Sequence, residues 1–350
     1  MNILVLCGGI SSEREISLRS SVKVADALHS RGHNVVMADV FFGTEAMMPF
    51  DSCYDYQAIA DELRTKNDLI IDELIEKTGL FGPNIIDMAK ACDIVFIGLH
   101  GENGEDGRIQ AEFDRLNIKY TGSGSYASSL AMSKKATKDK LSHLIRMPKG
   151  LSLNREDFAE NSDKIIEMIK REISLPCVIK PSNGGSSLGV VIIRSEDELF
   201  SAISEDFNFD DTLLAEEYIE GRELTQAVLN GQALPAVEIC PEEGVWYDYT
   251  YKYNGLMKEL CPAPITDDIF KEMSDISVRF GELLGLTVYY RIDYLMDKEG
   301  RLYALEANSL PGMTDTSLVP QEAKAVGIEY ADLCELIIKY SLEKYSENRE

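Results

Sequence analysis

The sequence lacks several features that would place it in other classes of protein. Its seven cysteines are scattered singly without a CxxC pair, and its four histidines are isolated, so a His/Cys zinc site is not expected. Most cysteines stand in apolar runs, which favours reduced thiols in a cytoplasmic protein. No apolar run approaches the roughly 20 residues of a membrane-spanning helix, and the N-terminus has no signal-peptide pattern.

Positive charge is also scarce. The chain has 35 Lys and Arg residues against 60 Asp and Glu, and its formal net charge is -25. Nucleic-acid and membrane-surface partners are not expected, because both require a basic stripe. A phosphate ligand would have to be bound by a few local lysines, backbone N–H groups and metal ions. The 350 residues, 45% hydrophobic and 27% charged, fit a globular protein of two or three domains.

The order of the apolar segments predicts three domains in series. Strands and helices alternate over residues 1–121, which is typical of a doubly wound parallel sheet. Residues 122–214 and 215–350 instead show strand–loop–strand units with helices on one side, an α+β pattern. One lysine-rich helix is expected over 130–145, and 43–80 are expected to be irregular. Further helices are expected at 196–205, 267–285 and 328–345.

A predicted β-hairpin over residues 288–308 gives the strongest indication of chemistry. Side chains alternate along a strand, so Arg291 and Asp293 share one face. Glu306 and Asn308 likewise share one face of the return strand. Buried carboxylates are costly unless they are paired or bind metal, and carboxylate and amide oxygens are ligands suited to Mg²⁺. A salt-bridge network around Arg291 is the alternative, although two acidic groups plus an amide exceed what one arginine can pair.

A Gly/Ser-rich loop over residues 181–189 follows the strand that ends at Lys180. Glycines let backbone N–H groups approach phosphate oxygens, and Ser186 and Ser187 add hydroxyl donors. The order of residues differs from a Walker loop, and no GxGxxG follows the first strand, so a nicotinamide site is not expected. A plain hairpin turn is the alternative for this loop alone. Together with the 288–308 hairpin, the loop is predicted to cover phosphate groups.

The first strand ends in a turn over residues 8–15 that opens a helix. Ser12 and Glu15 are predicted to form a capping box. Glu13 is not needed for that box, and a carboxylate at the carboxyl edge of a parallel sheet lies where small ligands usually bind. Favourable charge at the helix dipole is the alternative explanation for Glu13. Weaker candidates, on polar loops, strand ends and a lysine-rich helix, are His100, Lys134, Glu216, Glu217, Lys252 and Tyr253.

These segments together resemble the ATP-grasp superfamily and, within it, the D-alanine–D-alanine ligase family. The resemblance covers nearly the whole chain and runs, in order, through GGISSEREISL, LHGENGEDG, VIKPSNGGSSLGV, YDYTYKY, RIDY and LEANSLPGMTDTSLVPQEA. It implies a Rossmann-like pre-ATP-grasp domain followed by a two-subdomain ATP-grasp fold. It also implies an ATP-dependent ligase that makes D-Ala–D-Ala for cell-wall peptidoglycan through D-alanyl phosphate, releasing ADP and phosphate.

The resemblance also implies a function for individual residues. The residues implied to bind ATP are Lys134, Lys180, Ser187, Glu216, Glu217, Ile219, Glu223 and Lys252. The ligands implied for two Mg²⁺ ions, with Mn²⁺ as a substitute, are Asp293, Glu306 and Asn308. The residues implied for the donor D-alanine and the transfer step are Glu13, His100, Ser186, Tyr253 and Arg291. The residues implied for the acceptor and the tetrahedral intermediate are Gly312, Ser317 and Leu318. A cytoplasmic homodimer is implied as well.

Other functions on the same fold stay open. A D-Ala–D-Ser or D-Ala–D-Lac ligase would share these motifs, and Tyr253 favours D-alanine as acceptor without excluding D-serine. A different ATP-grasp ligase, or an ATP-binding regulatory protein, is a further alternative. A regulatory protein could have lost Lys180, Arg291 or the metal ligands, and all are present. In an enzyme, the loops 184–189 and 248–258 are expected to close and exclude water from the acyl phosphate.

Overall fold

The computed structural model describes residues 1–66, 79–185, 188–240 and 258–347. Within these residues it contains one parallel sheet and two antiparallel sheets, with helices between the strands. The predicted fold class, α/β followed by α+β, is therefore confirmed, whereas the three domain boundaries stay predictions. None of the described helices is both long and apolar enough to cross a membrane.

The parallel sheet lies in the N-terminal part of the chain and has the strand order β2-β1-β3. Its strands are β1 (Asn2–Cys7), β2 (Asn34–Asp39) and β3 (Ile94–Ile97). The helices of this part are α1 (Arg14–Ser30), α2 (Tyr56–Thr65), α3 (Ile85–Ala91) and α4 (Arg108–Leu116). Every residue of β1 after Asn2 is buried, as expected for a parallel strand covered on both faces.

The second sheet is antiparallel, with the order β4-β7-β5-β6. Its strands are β4 (Gly150–Asn154), β5 (Cys177–Pro181), β6 (Val191–Ile193) and β7 (Thr212–Glu217). The helices of this part are α5 (Ser125–Met132), α6 (Lys134–Leu141), α7 (Arg155–Glu160), α8 (Ser162–Glu172) and α9 (Glu196–Asp206). Strands β5 and β6 pair with each other, which confirms the predicted strand–loop–strand unit around Lys180.

The third sheet is antiparallel and follows the path β11-β10-β8-β12-β13, with β9 paired to β8. Its strands are β8 (Gly221–Leu229), β9 (Gln232–Ala233), β10 (Val237–Cys240), β11 (Lys258–Leu260), β12 (Tyr289–Asp297) and β13 (Leu302–Asn308). The helices of this part are α10 (Asp267–Leu284), α11 (Leu318–Ala325) and α12 (Tyr330–Glu347). The predicted hairpin is confirmed, because Arg291 faces Asn308 and Asp293 faces Glu306.

The last two helices return to the first part of the chain. Val319 of α11 and Leu333 of α12 lie in the same hydrophobic core as the buried residues of β1. The Tyr120 N–H donates to the Tyr345 hydroxyl at 3.0 Å, and Lys344 Nζ donates to the Gly122 carbonyl at 3.0 Å. The segment after β13 is thus anchored between the third sheet and the N-terminal part.

The predicted capping box of Ser12 and Glu15 is wrong. Helix α1 has Glu13 at its N-cap and no side-chain hydrogen bond at that cap. The Glu15 carboxylate instead accepts hydrogen bonds from Arg64, with an Nε–Oε2 distance of 3.0 Å. Arg64 belongs to α2, so the prediction that 43–80 are irregular is also wrong for that helix. Glu15 therefore forms an ion pair with a residue 49 positions away instead of capping its own helix.

The single helix predicted over 130–145 is wrong as well. Ser133 has extended backbone angles and separates α5 from α6. Its hydroxyl accepts a hydrogen bond from the Ala136 N–H at 3.3 Å, so it caps α6 as serines often do. The break places Lys134 in the first turn of α6, where its N–H donates to the Ser182 carbonyl at 2.9 Å. Lys134 is thereby fixed beside the Gly/Ser-rich loop.

Candidate active site

A cavity of about 540 Å³ lies between the two antiparallel sheets, a size typical of small-molecule sites. Strands β5 and β7 form one side, and β8, β12 and β13 contribute to the other. Its walls include apolar side chains such as Val178, Ile192 and Leu295. The predicted site residues among its lining are Lys134, Lys180, Glu216, Glu217, Ile219, Glu223, Asp293 and Glu306. Residues predicted separately for ATP and for metal therefore share one cavity.

Two lysines surround a single buried carboxylate in this cavity. Lys180 Nζ lies 2.7 Å from Glu216 Oε2, and Lys138 Nζ lies 2.8 Å from Glu216 Oε1. Burial alone would raise the pKa of Glu216, but the two ammonium groups lower it below its ordinary value. The group is therefore ionised, and two positive charges face one negative charge. The excess positive charge suits a phosphate.

Lys134 connects the phosphate side of the cavity to the hairpin. Its Nζ donates to the Gly184 carbonyl at 2.6 Å and lies 3.2 Å from Glu306 Oε2. Burial would lower the pKa of the neighbouring Lys180, but Glu216 and Glu306 raise it above the ordinary value. Both lysines that were predicted to bind phosphate therefore lie close to the predicted metal ligands. Such an arrangement suits a triphosphate whose charge is shared by lysines and metal.

The hairpin brings Arg291 and Asp293 into a two-point ion pair. Arg291 Nε lies 2.8 Å from Asp293 Oδ1, and Nη2 lies 2.9 Å from Oδ2. The Thr225 hydroxyl also donates to Asp293 Oδ1 at 2.6 Å. The Asn308 Oδ1 accepts from the Leu310 N–H at 3.0 Å. The salt bridge expected as the alternative for this hairpin therefore exists, and its acidic partner is one of the predicted metal ligands.

The donor set of the hairpin fits Mg²⁺ chemically, since it offers two carboxylates and an amide oxygen. Asp293 and Glu306 are directly opposite each other across β12 and β13 and both line the cavity. Among the described residues, no group of three or more His, Cys, Asp and Glu side chains is placed to hold a metal ion. With only two carboxylates, the site leaves coordination positions for phosphate oxygens and water. The metal assignment stays a prediction.

Glu13 lies where two loops meet. A Cβ atom built on Gly101 would be 2.9 Å from Glu13 Oε2, and one built on Gly185 would be 3.2 Å from it. Neither position has room for a side chain without displacing this carboxylate. Glu13 therefore lies against both the loop after β3 and the Gly/Ser-rich loop after β5. The first turn and the phosphate loop meet, as a site shared by ATP and a small amine would require.

His100 is buried near the Glu13 carboxylate. Its Nδ1 lies 3.1 Å from the Leu310 carbonyl oxygen and 3.4 Å from Glu105 Oε1. Burial alone would lower the pKa of His100, but hydrogen bonding to Glu105 and the charges of Glu105 and Glu13 raise it above the ordinary value. The imidazolium form is thus stabilised, and a cation next to Glu13 suits a zwitterionic amino acid. His100 Nε2 also lies 3.4 Å from Ser20 Oγ.

The segment from Gly312 to Leu318 adjoins this site. The Met313 N–H donates to Ser20 Oγ at 3.4 Å, the same hydroxyl that neighbours His100. Ser317 Oγ accepts from the Thr314 N–H at 2.9 Å, and a Cβ atom on Gly312 would lie 2.8 Å from it. Leu318 begins α11. The residues predicted for the donor and the acceptor are therefore connected through Ser20.

Four predicted site residues lie outside the residues that the structure describes. They are Ser186, Ser187, Lys252 and Tyr253. Three neighbours of the site were not predicted from the sequence, namely Lys138, Thr225 and Glu105. Lys138 had a detectable signal, since it follows Lys134 by one helical turn. Thr225 had none, because its strand is buried continuously from Leu224 and shows no alternation. Glu105 stands in an acidic loop, where nothing distinguishes it from its neighbours.

Comparison with known proteins identifies the family of the chain. Residues 2–123 match the model of the D-ala D-ala ligase N-terminus, and residues 142–339 match that of the D-ala D-ala ligase C-terminus. The chain is 40% identical to a D-alanine–D-alanine ligase of Pediococcus pentosaceus, with 99% of each chain covered. It is 36% identical to one of Lacticaseibacillus casei, covering 99% of this chain and 97% of that one.

Solved structures agree with these relatives. The D-alanine–D-alanine ligase of Bacillus anthracis has a TM-score of 0.76 at 28% identity, with 99% of each chain covered. The same enzyme has been solved in complex with ATP. The VanG D-Ala:D-Ser ligase of Enterococcus faecalis has a TM-score of 0.79 at 25% identity, covering 97% of this chain and 98% of that one. On its sequence and fold, the chain belongs to the D-alanine–D-alanine ligase family of ATP-dependent ligases.

Proposed function

We propose that this protein joins two D-alanine molecules into D-Ala–D-Ala for peptidoglycan, at the expense of ATP. The observation that carries the proposal is the meeting of three features at one place. Glu13 lies against the start of the Gly/Ser-rich loop, and Lys134 links that loop to Glu306 of the hairpin. An amino-acid site at Glu13 would therefore adjoin a phosphate site at this loop, as transfer of a phosphoryl group to a carboxylate requires.

The reaction needs an activated carboxylate, since a free carboxylate would have to expel oxide. A carboxylate oxygen of the donor D-alanine attacks the γ-phosphorus of ATP, and ADP leaves. The amino group of the acceptor then attacks the carbonyl carbon of the D-alanyl phosphate. Phosphate leaves with the carboxylate oxygen, and the amine gives up a proton. Each step concentrates negative charge at the phosphoryl group, which must be offset by cations.

The side chains suit these steps. Lys180 and Lys134 would hold the phosphates of ATP, and the Glu216 carboxylate helps to keep the buried Lys180 charged. Arg291 provides a cation beside the phosphoryl group once its bond to Asp293 is shared with ligand. Glu13 accepts the donor ammonium, while His100 offers positive charge to the donor carboxylate. Gly312 supplies a backbone N–H for the tetrahedral intermediate.

Mg²⁺ is proposed at Asp293, Glu306 and Asn308, two ions in all, with Mn²⁺ as a substitute. Bound there, it would neutralise phosphate oxygens during transfer. The support is the hard-oxygen donor set and the facing positions of Asp293 and Glu306 in the hairpin. The remaining ATP contacts are proposed for Ser187, Glu217, Ile219, Glu223 and Lys252, and further contacts to the reacting groups for Ser186, Tyr253, Ser317 and Leu318.

Acceptor identity decides between this function and that of the D-Ala:D-Ser ligase that the chain also resembles. The test is phosphate release from Mg-ATP with D-alanine alone, then with D-serine or D-lactate added, with products identified by mass. Turnover with D-alanine alone, yielding D-Ala–D-Ala, is the expected result. Turnover only with another acceptor would move the function to the variant ligases. Absence of turnover in protein that binds ATP would contradict the ligase function.

Assembly and location are also proposed from membership of this family. A homodimer acting in the cytoplasm on small molecules, without nucleic-acid or membrane partners, is proposed because the chain belongs to a family of ligases for a free amino acid. Sedimentation equilibrium at several protein concentrations tests the dimer. A single species at the mass of two 39.1 kDa chains is expected, and a species at the monomer mass at every concentration would contradict it.

A further inference from the structure

Glu322 is a buried carboxylate that the predicted mechanism does not use. It lies on α11, the helix that begins at Leu318, and its side chain is fully buried. Val319 and Ala323 of the same helix are buried as well. Its Oε2 accepts the Ala227 N–H at 2.6 Å. Its Oε1 has no hydrogen-bond partner in the described residues. A buried carboxylate with one orphaned oxygen is costly to keep, so its position requires an explanation.

The hydrogen bond of Glu322 fills a gap in the third sheet. Strand β10 pairs with β8 up to Thr225, and β9 pairs with β8 from Val228 onwards. Between these two stretches, the Ala227 carbonyl accepts from the Leu234 N–H at 2.8 Å. The Ala227 N–H lies on the same edge and donates to the Glu322 carboxylate instead of to a neighbouring strand. A buried N–H without an acceptor would cost stability, so the carboxylate replaces a missing backbone bond.

The same bond joins the two halves of the reaction site. On its other edge, β8 pairs with β12, and Ala227 is directly opposite Arg291. At the other end, Glu322 lies about one turn and a half along the helix from Ser317, which precedes Leu318 at the acceptor segment. Charges of Arg291 and Asp293 reach Glu322, although burial is the main reason that its pKa lies well above the ordinary value. Glu322 therefore connects the acceptor segment to β8, and through the pairing of β8 with β12 to the strand that carries Arg291.

We propose that Glu322 is a positioning residue, which holds the acceptor end of α11 at a fixed distance from the strand that carries Arg291. The proposal rests on the proposed function for the identity of the acceptor segment. Val319 and Ala323 of α11 share an apolar core with Ala227 of β8, and apolar packing by itself does not fix the position of the helix along the strand. A hydrogen bond to one backbone N–H does fix it. Errors of about 1 Å between reacting groups can cost as much as 10²-fold in rate.

The test compares Glu322→Ala and Glu322→Gln by initial rates over a range of D-alanine concentrations, fitted for separate donor and acceptor KM values. Glu322→Ala should raise the acceptor KM about tenfold and leave the donor KM within about twofold. Glu322→Gln should recover most of the wild-type value, because its amide oxygen still accepts the Ala227 N–H. Lys324→Ala, an exposed change on the same helix, should alter neither constant.

Three results would overturn the proposal. They are an unchanged acceptor KM in Glu322→Ala, an equal rise of both KM values, and a Glu322→Gln variant as impaired as Glu322→Ala. If Glu322→Ala does not fold, Glu322→Asp replaces it. Its shortened side chain withdraws the carboxylate from Ala227, and the same rise of the acceptor KM is expected. Turnover of the wild type with D-alanine reports on the proposed function separately, so failure of one is not failure of the other.

Discussion

Two buried carboxylates near the site are stabilised in different ways. Glu216, between the antiparallel sheets, has a lysine at each oxygen, at 2.7 and 2.8 Å. Glu322, beneath the acceptor segment, has one backbone N–H at 2.6 Å and an orphaned second oxygen. Accordingly the pKa of Glu216 is lowered by the two lysines against the effect of burial, whereas burial raises that of Glu322.

The difference matches what each region has to bind. The cavity that is proposed for ATP would receive a highly charged ligand. It contains ionised groups that could offset this charge, and Lys180 remains charged although it is buried. The region proposed for the amino acids would have to align two small zwitterions, for which fixed backbone segments such as the one around Gly312 are suited. Charge balance dominates at one end and position dominates at the other. Substitutions at the two ends should therefore fail in different ways.

The largest effect is expected where charge balance and chemistry coincide. Asp293→Ala should lower kcat about 10³-fold, because a proposed metal ligand and the partner of Arg291 are lost together. Steady-state dipeptide formation measures this. Glu299→Gln, at an exposed position of the same hairpin, is the matched control and should keep activity. Retention of activity in Asp293→Ala would exclude this carboxylate from the reaction.

A smaller effect should separate the two lysines that pair with Glu216. Lys180→Met should raise the KM for ATP about 10²-fold, because this lysine lines the cavity. Lys138→Met should mainly lower the free energy of unfolding, by about 3 kcal/mol, because removing one partner of a buried pair leaves the charge balance disturbed. ATP-dependent kinetics and urea unfolding measure the two effects. Equal rises in the KM for ATP in both variants would contradict the assignment of ATP binding to Lys180 and of stability to Lys138.

The smallest effect is expected from the charge of His100. Glu105 and Glu13 raise the pKa of His100 above its ordinary 6.5, against the effect of burial. The stabilisation from the imidazolium is complete below about pH 6.5 and is lost as the pH rises through the raised pKa. The donor KM should accordingly rise about fivefold across that window, as a charged hydrogen bond becomes a neutral one.

This pH dependence should be absent in His100→Asn and unchanged in His143→Asn, a change at an exposed histidine. Donor KM values measured from pH 6 to pH 9 make the comparison. A profile that His100→Asn leaves intact would assign the titration to another group. Glu13→Gln should raise the donor KM at every pH, because Glu13 is proposed to accept the donor ammonium. It should also narrow the pH range over which the donor KM changes, because Glu13 contributes to the raised pKa of His100.

Local patterns predicted the parts of the fold and site that depend on neighbours in the sequence. Alternation along the strands placed Arg291, Asp293, Glu306 and Asn308 on one face, and the register confirms it. The strand–loop–strand unit around Lys180 also followed from its apolar runs and glycines. In both cases the residues that determine the structure lie within about twenty positions of one another.

The parts that were missed depend on distant contacts. Ser133 ends α5 where the sequence predicts a continuous helix, and the Lys134 N–H there bonds to a carbonyl 48 residues away. Glu15 pairs with Arg64 rather than capping its own helix. Glu322 resembles any polar residue of an amphipathic helix until its bond to Ala227, 95 residues away, is seen. Periodicity cannot report contacts between elements.

The most direct test of the ligase chemistry follows one oxygen atom. D-Alanine labelled with ¹⁸O in its carboxylate is incubated with Mg-ATP and the protein, and the released phosphate is examined by mass spectrometry. Activation as an acyl phosphate transfers one carboxylate oxygen to phosphorus. One phosphate carrying one ¹⁸O atom should therefore be released for each dipeptide formed. Dipeptide formed with unlabelled phosphate, or with the label in AMP, would contradict D-alanyl phosphate and with it the proposed mechanism.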